Sequence, residues 1–159
     1  MYIPIALKRH NKTEQKVLSL IYEKFSPRLT IYRDLNTKEI IKNRIKRRNP
    51  KEYSLFLDAE TPNKTPLGNY KKIEFLLIPP NKKYYWIDAK HSNKTTNITD
   101  LHGIYYRTNI LKDIVFYVVD GKGYSDEVIK EHLDFINNFN LKNIQIIKLS
   151  KFKELLNKI

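Results

Sequence analysis

Two apolar runs, separated by a short break, constrain the fold of this chain more than any other feature. The runs cover residues 72–78 (KIEFLLI) and 83–90 (KYYWIDAK), and the break between them reads PPNK. Runs rich in aromatic and β-branched residues, bounded by proline and asparagine, are typical of a β-hairpin. A turn centred in the break pairs the two strands, so Glu74 is expected roughly opposite Asp88 and within cross-strand reach.

The rest of the chain alternates between helical and strand patterns. Helices are predicted at residues 11–25, 36–48, 97–110, 125–139 and 151–158, and further strands at 28–33, 53–59, 113–120 and 143–149. The stretch 60–69, which holds two prolines and a glycine, is predicted to be a loop. This order predicts one α/β domain over residues 1–159, with a mixed central β-sheet flanked by helices.

Charge and composition restrict the class of partner. The chain has 30 Lys and Arg against 17 Asp and Glu, and residues 1–50 alone hold thirteen basic and four acidic side chains. A basic excess of this size favours nucleic acid as the partner, although a Lys- and Ile-rich composition also reflects an AT-rich genome. The absence of cysteine excludes a disulfide framework and a thiolate zinc site, and favours a cytoplasmic (intracellular) setting. No apolar run approaches the length of a membrane span, so we expect no membrane partner.

Three polar side chains interrupt the apolar hairpin. Glu74 lies within the first strand, and Asp88 and Lys90 share one face of the second strand because side chains alternate along it. Carboxylate oxygens are the ligands that Mg²⁺ prefers, and the ion polarises phosphate and generates hydroxide. A neighbouring lysine can position or deprotonate the water, or stabilise charge in the transition state. The three residues therefore point to phosphodiester hydrolysis, whereas the alternative is a solvated strand end with a weak salt bridge.

An embedded acid, a turn and then Asp88 and Lys90 within the tripeptide DAK resemble the PD-(D/E)XK nuclease superfamily, which includes restriction endonucleases and Holliday-junction resolvases. The resemblance covers most of the chain and implies a restriction endonuclease-like αβββαβ core. It implies that Glu74 and Asp88 hold one or two Mg²⁺ ions and that Lys90 is the catalytic lysine. In the family the first acid is usually an aspartate preceded by proline, whereas Glu74 follows an isoleucine. Asp58, at the end of the preceding predicted strand, therefore remains an alternative first ligand.

Glu14 is a further candidate for the catalytic site. On a helix it continues the apolar stripe of Val17, Leu18 and Ile21, so it is expected to point toward the sheet. Many members of the family carry a glutamate on the first helix that reaches the metal, and the resemblance implies the same role here. The alternative is a capping box, in which Glu14 bonds the backbone of Asn11.

Basic residues supply the predicted DNA contacts. The helix at 36–48 carries charge mainly of one sign, which favours phosphate contacts over pairing within the helix. Two more candidates follow the hairpin, one in the next loop and one on the next predicted helix. The complete predicted set is Lys42, Arg44, Lys46, Arg47, Arg48, Asn93 and Arg107.

These features together predict a Mg²⁺-dependent DNA endonuclease. The long segment 28–70 ahead of the hairpin has room for specific contacts, which favours a restriction-type enzyme acting on double-stranded DNA. Cutting both strands is simplest for a homodimer. The alternatives are a Holliday-junction or branched-DNA resolvase of the same fold, a non-catalytic nucleic-acid-binding protein and an RNA-cleaving toxin.

Overall fold

The computed structural model describes residues 12–33, 51–64, 70–96 and 113–159. Within these residues the helices are α1 (Lys12–Phe25), α2 (Asp126–Asn138) and α3 (Leu149–Leu156). The strands are β1 (Leu29–Arg33), β2 (Tyr53–Lys64), β3 (Tyr70–Ile78), β4 (Tyr85–His91), β5 (Ile114–Asp120) and β6 (Ile144–Lys148). The predicted α/β fold with a mixed sheet flanked by helices is confirmed, while the predicted helices at 36–48 and 97–110 lie outside the described residues.

The described strands form one six-stranded sheet in the order β1-β2-β3-β4-β5-β6. β1 is parallel to β2, β3 is antiparallel to both of its neighbours, and β4, β5 and β6 are parallel to one another. Within the described sheet, β3 alone therefore runs against the other strands. The carboxyl ends of β4, β5 and β6 consequently lie at one edge, together with the amino end of β3.

Helices cover both faces of the sheet. On one face, α1 and α3 pack against a cluster that includes Phe75, Ile87 and Ala89. On the other face, the buried side chains of Trp86 and Tyr117 belong to a cluster that reaches α2. The central strands are apolar on both sides for this reason, since neither face is open to water.

Local sequence explains where the helices form. Val17, Leu18, Ile21 and Phe25 recur at helical spacing and are all buried, so α1 presents one continuous apolar face to the sheet. The Ser125 side chain accepts a hydrogen bond from the backbone N–H of Val128 at the start of α2. That bond satisfies a donor which the first helical turn would otherwise leave unpaired, as the sequence predicts.

Strand β2 is longer than predicted. The prediction of a loop at 60–69 is wrong for residues 60–64, because β2 continues to Lys64 and pairs with β3 across a register shift that follows Glu60. β1 ends opposite Leu57, so the outer side of β2 has no neighbouring strand beyond that point among the described residues. Pro62 falls within the register shift between Glu60 and Lys64, and proline in sheets is confined to such irregular or edge positions.

Candidate functional site

The polar end of β4 emerges from the core at the edge where β4, β5 and β6 end. Residues Tyr85–Ala89 of this strand are buried, and exposure begins at Lys90. Side chains alternate along β4, so Asp88 and Lys90 lie on the α2 face with Trp86. The strand thus carries a carboxylate just inside the core and an ammonium group at its margin.

The register of the hairpin brings Glu74 to this position. β3 and β4 pair with Phe75 opposite Ile87 and Leu76 opposite Trp86. Continued by one residue, this register places Glu74 across from Asp88, as the length of the turn predicts. The site therefore depends on two adjacent antiparallel strands whose pairing is fixed by the buried residues around it.

Lys90 links the two carboxylates. Its Nζ lies 3.9 Å from Oε1 of Glu74 and 3.7 Å from Oδ2 of Asp88. The distance between these two carboxylate oxygens therefore cannot exceed the sum of the two separations. These contacts are ion pairs rather than hydrogen bonds, because both separations exceed hydrogen-bond length. Two acids and one base therefore meet at one point of the sheet.

The site becomes more exposed from Asp88 to Lys90. The side chains of Asp88, Glu74 and Lys90 are 2%, 17% and 32% exposed. Oε2 of Glu74 is buried and accepts no hydrogen bond from the described residues. A buried carboxylate oxygen without a donor is unfavourable in an empty site, and it offers lone pairs to a cation.

Three or more metal-ligating side chains do not come together anywhere in the described residues. No group of three His, Cys, Asp or Glu side chains there has the arrangement that would hold a metal ion. Mg²⁺ does not require such a group, because it is usually bound by one or two carboxylates and keeps several waters or phosphate oxygens. Glu74 and Asp88 therefore fit Mg²⁺ better than a cation that needs a complete protein cage.

Asp58 lies one strand further from the site. In the β2–β3 register it falls between Leu57, which pairs with Phe75, and Ala59, which pairs with Ile73. This places it across from Glu74. Its φ of 53° belongs to the left-handed region, which aspartate tolerates better than most residues. Because Lys90 forms its ion pairs with Glu74 and Asp88, the geometry favours Glu74 over Asp58 as the first acid.

The orientation of α1 brings Glu14 to the same end of the sheet. Phe25, at the end of α1, stacks on Tyr53 with the ring centroids 4.2 Å apart. Tyr53 begins β2, which runs in the same direction as β4, so the first turn of α1 lies where β4 ends. α1 packs on the face opposite Asp88, and Glu14 is half-buried there. Its role at the metal stays a prediction, and the capping-box alternative stays open as well, since its partner at position 11 lies outside the described residues.

Two loops are clamped together beside the site. The segment after β4 and the turn after β5 are joined by backbone hydrogen bonds from Ser92 N–H to Asp120 O (3.1 Å) and from Gly123 N–H to Ser92 O (2.8 Å). A Cβ at Gly121, which has φ +101°, would lie 2.2 Å from the carbonyl oxygen of Ser92. The turn therefore needs glycine for close approach. His91 also contacts this turn, with Nδ1 3.8 Å from Oδ2 of Asp120.

Sequence reasoning missed Tyr124. This side chain follows the clamped turn, is 6% exposed and packs in one cluster with Val119 and Val128. Burial, and then the negative charge of Asp88, raise the pKa of Tyr124. The glycines at 121 and 123 signal a turn in the sequence, but they do not indicate which strand it approaches.

The predicted nucleic-acid-binding residues are mostly outside the described part of the chain. This applies to the whole basic set on the predicted helix 36–48 and to Arg107. Asn93 is described, and it lies exposed in the segment directly after β4. Its contact with phosphate stays a prediction.

Comparisons of the sequence and of the fold found no match among protein-family models, curated proteins or solved structures. Among the described residues, no helix has both the length and the apolar character needed to cross a bilayer.

Proposed function

We propose that this chain is a Mg²⁺-dependent nuclease that hydrolyses phosphodiester bonds in DNA. The observation that carries the proposal is the position of Lys90, whose ammonium nitrogen lies within 3.9 Å of the carboxylates of both Glu74 and Asp88. If Lys90 formed only a salt bridge at the strand end, a single carboxylate would be sufficient. A second acid, with a buried oxygen that accepts no hydrogen bond from the described residues, supports a cation site.

Glu74 and Asp88 are the residues that would hold Mg²⁺. When bound, the ion supplies Lewis-acid polarisation of the phosphate and an acidified water. Asp88 is fixed by burial in a central strand, so its carboxylate loses little conformational entropy on binding. Glu74 enters from the neighbouring strand, and water and phosphate oxygens would complete the ligands of the ion.

Lys90 is suited to act on the substrate. It is the most exposed of the three side chains and lies at the boundary between the buried carboxylates and solvent. An ammonium group there stabilises negative charge as it develops on the phosphate, and it can also hold the attacking water. The two carboxylates keep this ammonium in place before the substrate arrives.

DNA as the substrate is supported by charge. The chain carries a formal net charge of +13, and the first 50 residues contribute most of it. A basic surface binds the phosphate backbone with a strong dependence on salt. We further propose a restriction-type enzyme that cuts double-stranded DNA as a homodimer, because segment 28–70 offers room for specific contacts; a branched-DNA resolvase is the competing substrate class.

Cleavage of supercoiled plasmid in Mg²⁺ tests the proposal. We expect the wild type to cut, EDTA to abolish cutting, and Lys90→Ala to lower the rate by at least about 100-fold. Lys83→Ala is the matched control, since this exposed lysine lies at the opposite end of β4 and its loss should leave the rate unchanged.

Two outcomes would contradict parts of the proposal. Cleavage by Lys90→Ala at the wild-type rate would place the chemistry elsewhere. DNA binding without any cleavage, unaffected by Lys90→Ala, would leave a non-catalytic binding protein. Adding a four-way junction and a structured RNA to the same assay ranks the substrate classes, and sedimentation analysis with and without DNA tests the homodimer.

A further inference from the structure

A cavity lined by two lysines lies beside the candidate site, at the carboxyl ends of β5 and β6. Its volume is about 380 Å³, and it lies between the turn that follows β5 and the start of α3. Lys122 and Lys148 line it together with the apolar side chains of Val119 and Tyr124. Neither lysine belongs to the nucleic-acid-binding set predicted from the sequence, so the cavity is a basic surface that the sequence did not indicate.

The register of the sheet places this cavity next to Lys90. Lys90 pairs with Val119 of β5, and Val119 pairs with Lys148 of β6. Residues paired in this way point to the same face of a sheet, and Val119 packs with Val128 of α2, so this is the α2 face. Because neighbouring strands lie about 4.8 Å apart, the backbones of Lys90 and Lys148 are separated by about 10 Å. The two lysines therefore stand at the ends of one row, with Val119 between them.

The ammonium group of Lys148 is held at this edge by α2. Its Nζ donates a hydrogen bond to Oδ1 of Asp126 in the first turn of that helix. The side chains of Lys148 and Asp126 are 40% and 92% exposed, so water screens the pair and it contributes little to stability. An ammonium group has three donors, and this bond uses one of them. Lys148 can therefore bind a second anion without leaving Asp126.

Lys122 supplies the second positive charge of the cavity. It is exposed in the turn after β5, and the backbone hydrogen bonds between that turn and Ser92 fix the turn relative to β4. Asp120 also lines the cavity, but side chains alternate along β5, so Asp120 points to the face opposite Val119. There its carboxylate lies 3.8 Å from Nδ1 of His91. The two lysines are therefore available to an anion on the α2 face.

We propose that Lys122 and Lys148 bind a phosphate of the same DNA strand that Lys90 contacts, a short distance along the backbone from the phosphate that is cut. The inference rests on the proposed function, because it takes DNA as the ligand. Each DNA strand carries one phosphate per about 3.4 Å of helix axis, so a row of about 10 Å spans a few successive phosphates. Phosphate contacts fix the register of the substrate and carry no sequence preference.

A purely structural role for Lys148 predicts a different pattern. If its pair with Asp126 only anchors α2, replacing either residue removes the same interaction, and both replacements should affect DNA binding in the same way. If Lys148 binds phosphate, the two replacements should act in opposite directions. Asp126→Asn would leave the whole charge of Lys148 to the phosphate and remove a nearby negative charge, whereas Lys148→Ala would remove the contact itself.

Fluorescence anisotropy with a short labelled DNA duplex in EDTA measures binding without cleavage. We expect Lys122→Ala and Lys148→Ala each to weaken binding by about 5-fold to 10-fold at about 0.1 M salt, because each neutralised phosphate releases about 0.9 counterions. Each should also lower the slope of log K against log salt concentration by about 1. Asp126→Asn should strengthen binding by at least about 2-fold. Lys83→Ala, an exposed lysine at the opposite end of β4, is the matched control and should change neither quantity.

Plasmid cleavage by the same variants separates this inference from the proposed function. In Mg²⁺, Lys148→Ala should raise KM and leave kcat unchanged, because it removes binding rather than chemistry. If the wild type cuts DNA and both lysine variants bind it as tightly as Lys83→Ala, the inference is overturned while the proposed function stands. Weaker binding by both Lys148→Ala and Asp126→Asn would also overturn it. A wild type that binds DNA through both lysines and never cuts it would support the phosphate site and contradict the nuclease, whereas a wild type that binds no DNA would contradict both.

Discussion

Replacing Asp88 by asparagine removes one buried charge and changes almost no volume. The Asp88 side chain is 2% exposed, and keeping a carboxylate from water costs several kcal/mol even after relaxation. Repulsion from Glu74 adds about 2 kcal/mol at an effective dielectric constant of about 20. Lys90 offsets this repulsion, since its attraction at 3.7 Å is about 4 kcal/mol at the same dielectric constant and falls to roughly half of that once its 32% exposure is considered. The cost of burying the charge therefore remains.

The unfavourable terms exceed the attraction, so we expect Asp88→Asn to stabilise the metal-free protein by about 2 kcal/mol. For a chain of this size, that corresponds to a rise in Tm of about 4–8 °C in EDTA. Magnesium should make the wild type the more stable of the two proteins. At a concentration about 100 times its Kd it stabilises the wild type by about 2.7 kcal/mol, or about 5–11 °C, and leaves Asp88→Asn unchanged.

Differential scanning calorimetry with EDTA and with Mg²⁺ measures both effects. Asp126→Asn is the control, because Asp126 is 92% exposed and pairs with Lys148 at the start of α2. Its loss should change stability little, and equally with and without Mg²⁺, because solvent screens an exposed pair. A wild type that is more stable than Asp88→Asn in EDTA would refute the reasoning that burial of the Asp88 charge costs stability. Equal stabilisation of both proteins by Mg²⁺ would remove Asp88 from the cation site.

Stability should fall as the pH drops below about 6.5, because burial lowers the pKa of His132 and the unfolded chain takes up its proton first. Urea titrations should show this slope flattened in His132→Leu and retained in the exposed control His91→Gln. Gly121→Ala should destabilise the protein by about 3 kcal/mol, because the added Cβ would collide with the backbone of Ser92 and the residue has a positive φ. An unchanged denaturant midpoint would contradict the clamp between the loops. Glu74→Gln should abolish Mg²⁺-dependent cleavage, whereas Asp58→Asn should keep at least about one tenth of it; the reverse ranking would make Asp58 the first ligand.

The core of the site could be predicted because it is local. A break of four residues allows few hairpin registers, and the observed pairing of Leu76 with Trp86 is the one that aligns Glu74 with Asp88. The alternation of side chains then assigns Asp88 and Lys90 to one face without further information. The sequence could not predict the distance between Lys90 and Glu74, because that distance depends on the twist of the sheet and on side-chain rotamers.

Features that depend on contacts distant in sequence were missed. The extension of β2 to Lys64 follows from its pairing with β3 and from the early end of β1, and a proline within the segment argued against a strand. Tyr124 packs on Val119, the β5 partner of Lys90, because β4 and β5 are parallel neighbours and their following loops are clamped. Parallel pairing joins strands through long connections, so no short-range pattern in the sequence indicates which loops will meet.

The energetics of Glu74 and Asp88 argue that the site serves a ligand rather than the fold. Buried ion pairs are generally no more stabilising than well-packed apolar residues of similar volume. Here two acids share one partly exposed lysine, and the cluster keeps a buried oxygen of Glu74 that accepts no hydrogen bond from the described residues. A valine or leucine at either position would extend the surrounding apolar strand at lower cost. Under the proposed function, we expect the acids to destabilise the metal-free protein and to become favourable when a cation and a phosphate complete the charge balance, which is the trade-off expected of a catalytic site.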